Sequence, residues 1–404
     1  MKNILITVVL LTPIIIYIGF TSTPESQTVL VGENSKLSSN NHERKVEKEK
    51  KASNQKNTSS PAKAKKITSD ELSDHDVIDF LTRKGQLKEG AGFEELENLK
   101  RISLSSVTSE DLPFINRLTH LTDLEINSEV DLDFRELKSL KALKNLSVTN
   151  NNIVDISTIG ELQSLRELDL KGDNLNNLSG LQELPLLKRL YLSGDSIQDL
   201  SPLKEVNTLN WLSLDGPSFQ LSSLGNAQQI TSLSLNGEAV LKAGESGNLS
   251  NLEMLFLDGN EIGNLSPLAK LKDLDSISIS GEIANDMTPY RDLPNLDSIY
   301  LTVKDLPDMS PLKESKISFI SITPELPSLE HNENRLVLDF KLLRKLSHLR
   351  KVSIGTGDSL KLENLSELNN MSKLKEMTLP KDQRKDLNLK DITNNDIIIN
   401  FSDW

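Results

Sequence analysis

The chain contains no cysteine, few aromatics (4%) and five histidines among 404 residues. Without cysteine there are no disulfides and no thiolate ligands, so any exported fold must be held by packing alone. His42, His75, His120, His331 and His348 include no pair at metal-ligand spacing. P-loop, dinucleotide and nucleophile-elbow motifs are missing too. Asp131 and Asp133 lack the twelve-residue loop that calcium needs. Five Asn-Leu-Ser tripeptides, from Asn145 to Asn364, recur with the repeat described below and carry little information of their own. The expectation is no enzyme: no catalytic, cofactor-binding or metal-binding residues, and no cofactor. A net charge of −13 lacks the basic footprint of a nucleic-acid binder.

That charge is unevenly placed. Residues 1–40 balance, residues 41–66 carry nine Lys/Arg against three Glu, and residues 67–404 therefore hold −19. The start, MKNILITVVLLTPIIIYIGF, has Lys2 before an apolar run from Ile4 to Phe20. The run is short for a membrane span and long for a signal-peptide core, and no A-x-A site follows. Residues 1–23 are expected to be a signal anchor or a cleaved signal peptide, and either one exports the chain. Residues 24–66 are polar and lysine-rich, and are expected to form a disordered basic tether. Its lysines offer contact with anionic wall polymers or lipid head groups.

What the chain has in abundance is leucine at a fixed interval. At Leu162 it reads LQSLRELDLKGDNLNNLSGLQE, and at Leu184 it begins again as LPLLKRLYLSGDSIQDLSPLKE. The first apolar residue of each L-x-L pair falls at Ile102, Leu124, Leu146, Leu168, Leu190, Leu212, Leu233, Leu255, Ile277, Ile299 and Ile320. The gaps are 22 residues, with two of 21. Looser units follow at Val352 and Met377. Such a period predicts a leucine-rich-repeat solenoid, an α/β curved rod in which each strand-and-return unit buries its leucines against its neighbours. Pro202 in the L-S-P-L leg opposes an α-helix on the return side. Residues 67–95 are expected to form a helical cap started by Ser73 and stopped by Gly85. Residues 96–322 carry the regular repeats. Residues 323–404 hold irregular ones, with an insertion near 323–345 that reads as a strand or a short helix, and a closing strand at Ile397 to Phe401.

The I-x-D-L-S-P-L leg (Ile197 to Leu203) and its counterpart I-G-N-L-S-P-L (Ile262 to Leu268) resemble those of the internalin family. These are surface and secreted leucine-rich-repeat proteins of Gram-positive bacteria. The resemblance covers residues 68–380 and implies a concave face that binds a protein, often a host receptor. Three departures stand out. No immunoglobulin-like module follows the repeats, and no C-terminal sorting motif is seen, so anchoring is expected at the N-terminus. The asparagine expected three residues after each L-x-L pair is present as Asn151 and Asn260, but is replaced by Asp173, Asp195, Pro217, Glu238, Glu282 and Lys304. That erosion is expected to cost stability or to let the turns deviate.

Alternation along a strand points the residues flanking each leucine pair outward. Tyr191, Trp211, Met254, Phe256, Tyr300 and Phe319 fall on such positions, together with Glu125, Asp169, Asp215 and Asp258. Exposed aromatics on a rigid face suit a protein partner, and the acids suit steering of a basic ligand. Cross-strand packing accounts equally for aromatics in strands. The expected function is extracytoplasmic recognition of a host or bacterial surface protein, with the chain membrane-anchored or secreted. The alternative is a structural organiser of the chain's own cell envelope.

Overall fold

The computed structural model describes residues 68–404, except for 129–131, 151, 154–155, 238, 240–244, 247, 260–265, 282–285, 304–305, 325–335, 356–359, 382–391, 395 and 403–404. The segment preceding residue 68, with the expected anchor and tether, lies outside the described residues. Thr68–Trp404 forms a compact unit by itself.

Each repeat contributes one short strand. The strands are β1 (Arg101–Val107), β2 (Asp123–Ser128), β3 (Asn145–Thr149), β4 (Glu167–Lys171), β5 (Arg189–Ser193), β6 (Trp211–Asp215), β7 (Ser232–Asn236) and β8 (Met254–Asp258). They continue as β9 (Ser276–Ser280), β10 (Ser298–Val303), β11 (Phe319–Pro324), β12 (Leu336–Asp339), β13 (Lys351–Ile354), β14 (Leu360–Glu363), β15 (Glu376–Pro380) and β16 (Ile398–Ser402). Among the described residues fourteen of them form one parallel sheet in chain order, omitting β12 and β14. The leucine markers are direct register partners: Leu124 opposite Leu146, Leu146 opposite Leu168, and onward to Val352 opposite Met377 and Met377 opposite Ile399. A register held from marker to marker, shifted only beyond Leu104 in β1, explains the period. A one-residue slip would turn the whole leucine row out to solvent.

The inward rows meet a second wall made by 3₁₀ return legs such as Ser179–Glu183, Ser201–Glu205 and Ser266–Lys270. Leu200 and Leu203 are fully buried there. Most legs open on an acid or amide that accepts the N–H two residues on. Asn177 takes Ser179 N (3.0 Å), Asp199 takes Ser201 N (2.8 Å), Asp286 takes Thr288 N (2.8 Å) and Asp308 takes Ser310 N (3.0 Å). Such Asx turns bend the chain into the tight leg that Pro202 then keeps short. Asp133 plays the same part for Arg135 (3.0 Å) and also pairs with its guanidinium, so it is engaged rather than simply solvated.

In the turn after β3 the structure describes the residue just before the expected asparagine slot. That residue, Asn150, is a buried amide, and its Oδ1 accepts Asn152 N at 2.8 Å. Asn151 and Asn260 lie outside the described residues, and Asp173 and Asp195 are exposed. In the following units glycine takes the slot of Asn150. Gly172 N donates to Ser193 O (2.9 Å) and Gly194 N to Asp215 O (3.0 Å). A Cβ on Gly194 would lie within 3.0 Å of Gly172 O, and one on Gly216 within 3.0 Å of Gly194 O. Successive turns therefore stack backbone on backbone.

At the N-terminal end, α1 (Asp74–Arg83) covers the first repeat. Ser73 accepts Asp76 N (3.2 Å) while Asp76 accepts Ser73 N (2.8 Å), a reciprocal capping box. Val77, Ile78, Phe80 and Leu81 are buried, Phe80 stacks on Phe114 (4.7 Å), and Gly85 leaves the helix at φ +72°. Short helices α2 (Phe93–Asn98) and α3 (Leu112–Asn116) complete the first units. Near the other end, the insertion holds a strand and a helix in succession. β12 pairs in parallel with β14, apart from the main sheet, and leads into α4 (Phe340–Leu343) with Phe340 fully buried. Among the described residues no helix is long and apolar enough to cross a membrane.

Candidate binding face

The outward positions of the sheet sort into two districts. The first spans β2 to β5 and is charged. Asp123 accepts from Asn145 Nδ2 (2.6 Å) and Thr122 Oγ1 (2.6 Å) and faces Arg101 (3.3 Å). Glu167 pairs with Arg189 (3.4 Å), and Asp169 with Lys171 (3.5 Å) and Ser147 Oγ (3.2 Å). Burial pushes the Glu167 and Asp169 carboxyls above their ordinary range, against the pull of those cations. Asp169 Oδ1 is buried and has no hydrogen-bond partner. Tyr191 stands over this group. Desolvation, then the nearby Glu167 and Asp169 charges, raise its phenol to about 12. Glu125 is half-buried on β2.

The second district spans β6 to β11 and is nearly free of charge. Its aromatics come in pairs. Trp211 and Phe256 meet at 5.1 Å across the intervening β7, whose Ser232 and Ser234 are covered beneath them to 4% and 9% exposure. Tyr300 and Phe319 meet edge-on at 5.3 Å, with Lys351 Nζ 6.0 Å from the Phe319 ring. Burial raises the Tyr300 phenol to about 12. Between the two pairs lies β9, with Ser276, Ser278 and Ser280 facing outward. Met254 is half-buried on β8, and Asp215 and Asp258 sit toward one side, hydrogen-bonded to Ser193 Oγ (3.4 Å) and Ser280 Oγ (2.6 Å).

All ten sequence-expected residues therefore lie on or beside one sheet. The aromatics are half-buried rather than freely exposed. Serine on the adjacent strand leaves room for each ring to lie down, so the rings pack on one another as cross-strand pairs do. Tyr191 belongs with the acids rather than with the other rings. The serines and Lys351 escaped sequence reading, although serine recurring in the middle column was visible at 213, 234, 278 and 321. A groove of about 300 Å³ beside the cap, lined by Phe93, Leu96, Asn116, Arg117 and His120 among others, was not foreseen either.

A parallel ladder at a 22-residue step, closed by 3₁₀ legs, defines a leucine-rich-repeat solenoid, internalin-like in its period and its L-S-P-L legs. No protein-family model and no curated protein matches the chain. Among solved structures, an internalin of Listeria monocytogenes is 22% identical, with a TM-score of 0.45 over 81% of this chain and 88% of that one. Internalin C2 of the same species is 26% identical, with a TM-score of 0.36 over 55% and 90%. A leucine-rich-repeat protein of Leptospira interrogans is 16% identical, with a TM-score of 0.32 over 76% and 98%.

Proposed function

We propose that the chain is a non-enzymatic, extracytoplasmic binding protein that recognises a protein ligand on the β6–β11 face. The observation that carries this reading is the make-up of that face. Half-buried aromatic pairs alternate with short hydroxyl side chains on a hydrogen-bonded sheet, with the acids at its margins rather than between the rings. Such a surface offers rigid apolar anchors and adaptable hydrogen bonds at little entropic cost. The charged β2–β5 district beside it supplies orientation through Glu167, Asp169 and their partners.

The test is capture from host-cell membranes and from the bacterium's own envelope, at low and high salt. The wild-type chain is compared with a variant carrying Tyr191→Ala, Trp211→Ala, Phe256→Ala and Tyr300→Ala. A protein retained by the wild type alone, and persisting at high salt, supports the reading. Capture that is equal for both proteins and vanishes with salt points instead to an envelope-organising role through the lysine-rich segment at 41–66.

A further inference from the structure

The edge at which the chain enters each strand carries one residue per repeat, and its charges are sorted along the sheet. Before β3, β4 and β5 it presents Lys144, Arg166 and Lys188. Before β6 and β7 it presents Asn210 and Thr231, and before β8, β9 and β10 it presents Glu253, Asp275 and Asp297. The spacing is fixed by an unbroken backbone ladder. Arg166 N donates to Lys144 O (2.7 Å), Lys188 N to Arg166 O (2.8 Å), Asp275 N to Glu253 O (2.9 Å) and Asp297 N to Asp275 O (2.9 Å). All but Thr231 and Asp297, which are half-buried, are exposed. Asp275 and Asp297 each accept from a neighbouring hydroxyl, Ser276 Oγ (3.0 Å) and Ser298 Oγ (3.1 Å), and among the charges on the adjoining strands Arg189 pairs with Glu167 and Lys171 with Asp169.

A single run of like charges is an ordinary solvated edge. Here two runs of opposite sign have equal length and equal spacing, about 4.8 Å per strand. They are disposed symmetrically about the neutral pair Asn210 and Thr231. Such an edge is complementary to itself. A two-fold axis along the sheet normal, midway between Asn210 and Thr231, sets Lys144 against Asp297 of a second copy, Arg166 against Asp275 and Lys188 against Glu253. Symmetry makes every pair twice. Beyond them Thr122 would face Ser318, both uncharged, and then Lys100 would face Arg350, a like pair that ends the contact. We propose that this chain associates with a second copy of itself through this edge, as a symmetric, salt-sensitive dimer. Both β6–β11 faces then point the same way and remain open.

Sedimentation velocity on the full chain in a neutral detergent tests this. A dimer is expected at about 50 mM salt and a monomer at about 500 mM, because exposed pairs are screened. Lys144→Glu, Arg166→Glu and Lys188→Glu together should give a monomer at low salt. So should Glu253→Lys, Asp275→Lys and Asp297→Lys together. Mixing the two reversed variants should restore a dimer, now of one copy of each, which also shows that both are folded. Arg166→Glu alone, at an exposed site, should already weaken association by about tenfold. A monomeric wild type at low salt, a dimer indifferent to salt, or reversed variants that stay apart despite native circular dichroism would each overturn the proposal.

Discussion

Replacing Gly194 by alanine tests the close stacking of successive turns. The new Cβ would approach Gly172 O to within 3.0 Å, and that oxygen is backbone already accepting Leu175 N. To relieve the clash the two turns must part, which strains the bonds from Gly172 N to Ser193 O and from Gly194 N to Asp215 O. Overpacking costs about 1–3 kcal/mol, and one weakened hydrogen bond adds about 1 kcal/mol, so the expected loss from the clash is about 2–4 kcal/mol. Gly90 supplies the control. Both glycines sit at positive φ, +156° for Gly194 and +83° for Gly90, so both substitutions carry a backbone penalty of about 1–2 kcal/mol, but nothing lies within 4 Å of the new Cβ at Gly90 and no clash is added there. Urea unfolding followed by circular dichroism should show a lower midpoint for Gly194→Ala than for Gly90→Ala, with the slope unchanged. Equal midpoints would refute the idea that close backbone stacking holds the turns.

Two further substitutions should act in the opposite sense. The Tyr290 hydroxyl is buried without a partner, and desolvation drives its pKa well up. Tyr290→Phe should therefore raise stability by about 1 kcal/mol, read as a higher urea midpoint, and a fall would mean that the hydroxyl is satisfied after all. Asp169 has a folded pKa raised above its unfolded value, so a stability cost builds as the pH rises through the unfolded pKa and is complete above the folded pKa. Asp169→Asn should accordingly be more stable than wild type at pH 7. The difference should shrink as the pH falls through the carboxylate range, and a variant less stable at pH 7 would show that Lys171 and Ser147 outweigh burial.

The architecture was legible because solenoid packing is local. Every unit needs the same leucines at the same offsets, so the period alone placed the register that the sheet shows from Ile102 to Met377. Ser73 and Gly85 were legible for a similar reason, since capping and left-handed turns use short-range chemistry. The state of the face was harder to read. Whether Trp211 stands up or lies on Phe256 depends on Ser232 and Ser234 beneath it, residues 21 and 23 positions further along the chain. Sequence spacing gives the column but not the tilt. The glycine stack is not legible from the asparagine slot, because it forms one residue earlier and depends on the approach of a neighbouring turn. The partner of the insertion could not be foreseen either, since β12 reaches past β13 to β14.

Recognition on the β6–β11 face is tested most directly at the centre of that face. Ser278 lies between the two aromatic pairs, and Gln182 is exposed on the return side of the solenoid. Binding of the captured protein to immobilised wild type, Ser278→Arg and Gln182→Arg chains is the most direct measurement. A long charged side chain at the centre of a close-packed interface should weaken binding by about 100-fold or more, while Gln182→Arg should bind like wild type. Equal binding by all three, or a loss confined to Gln182→Arg, would contradict the account.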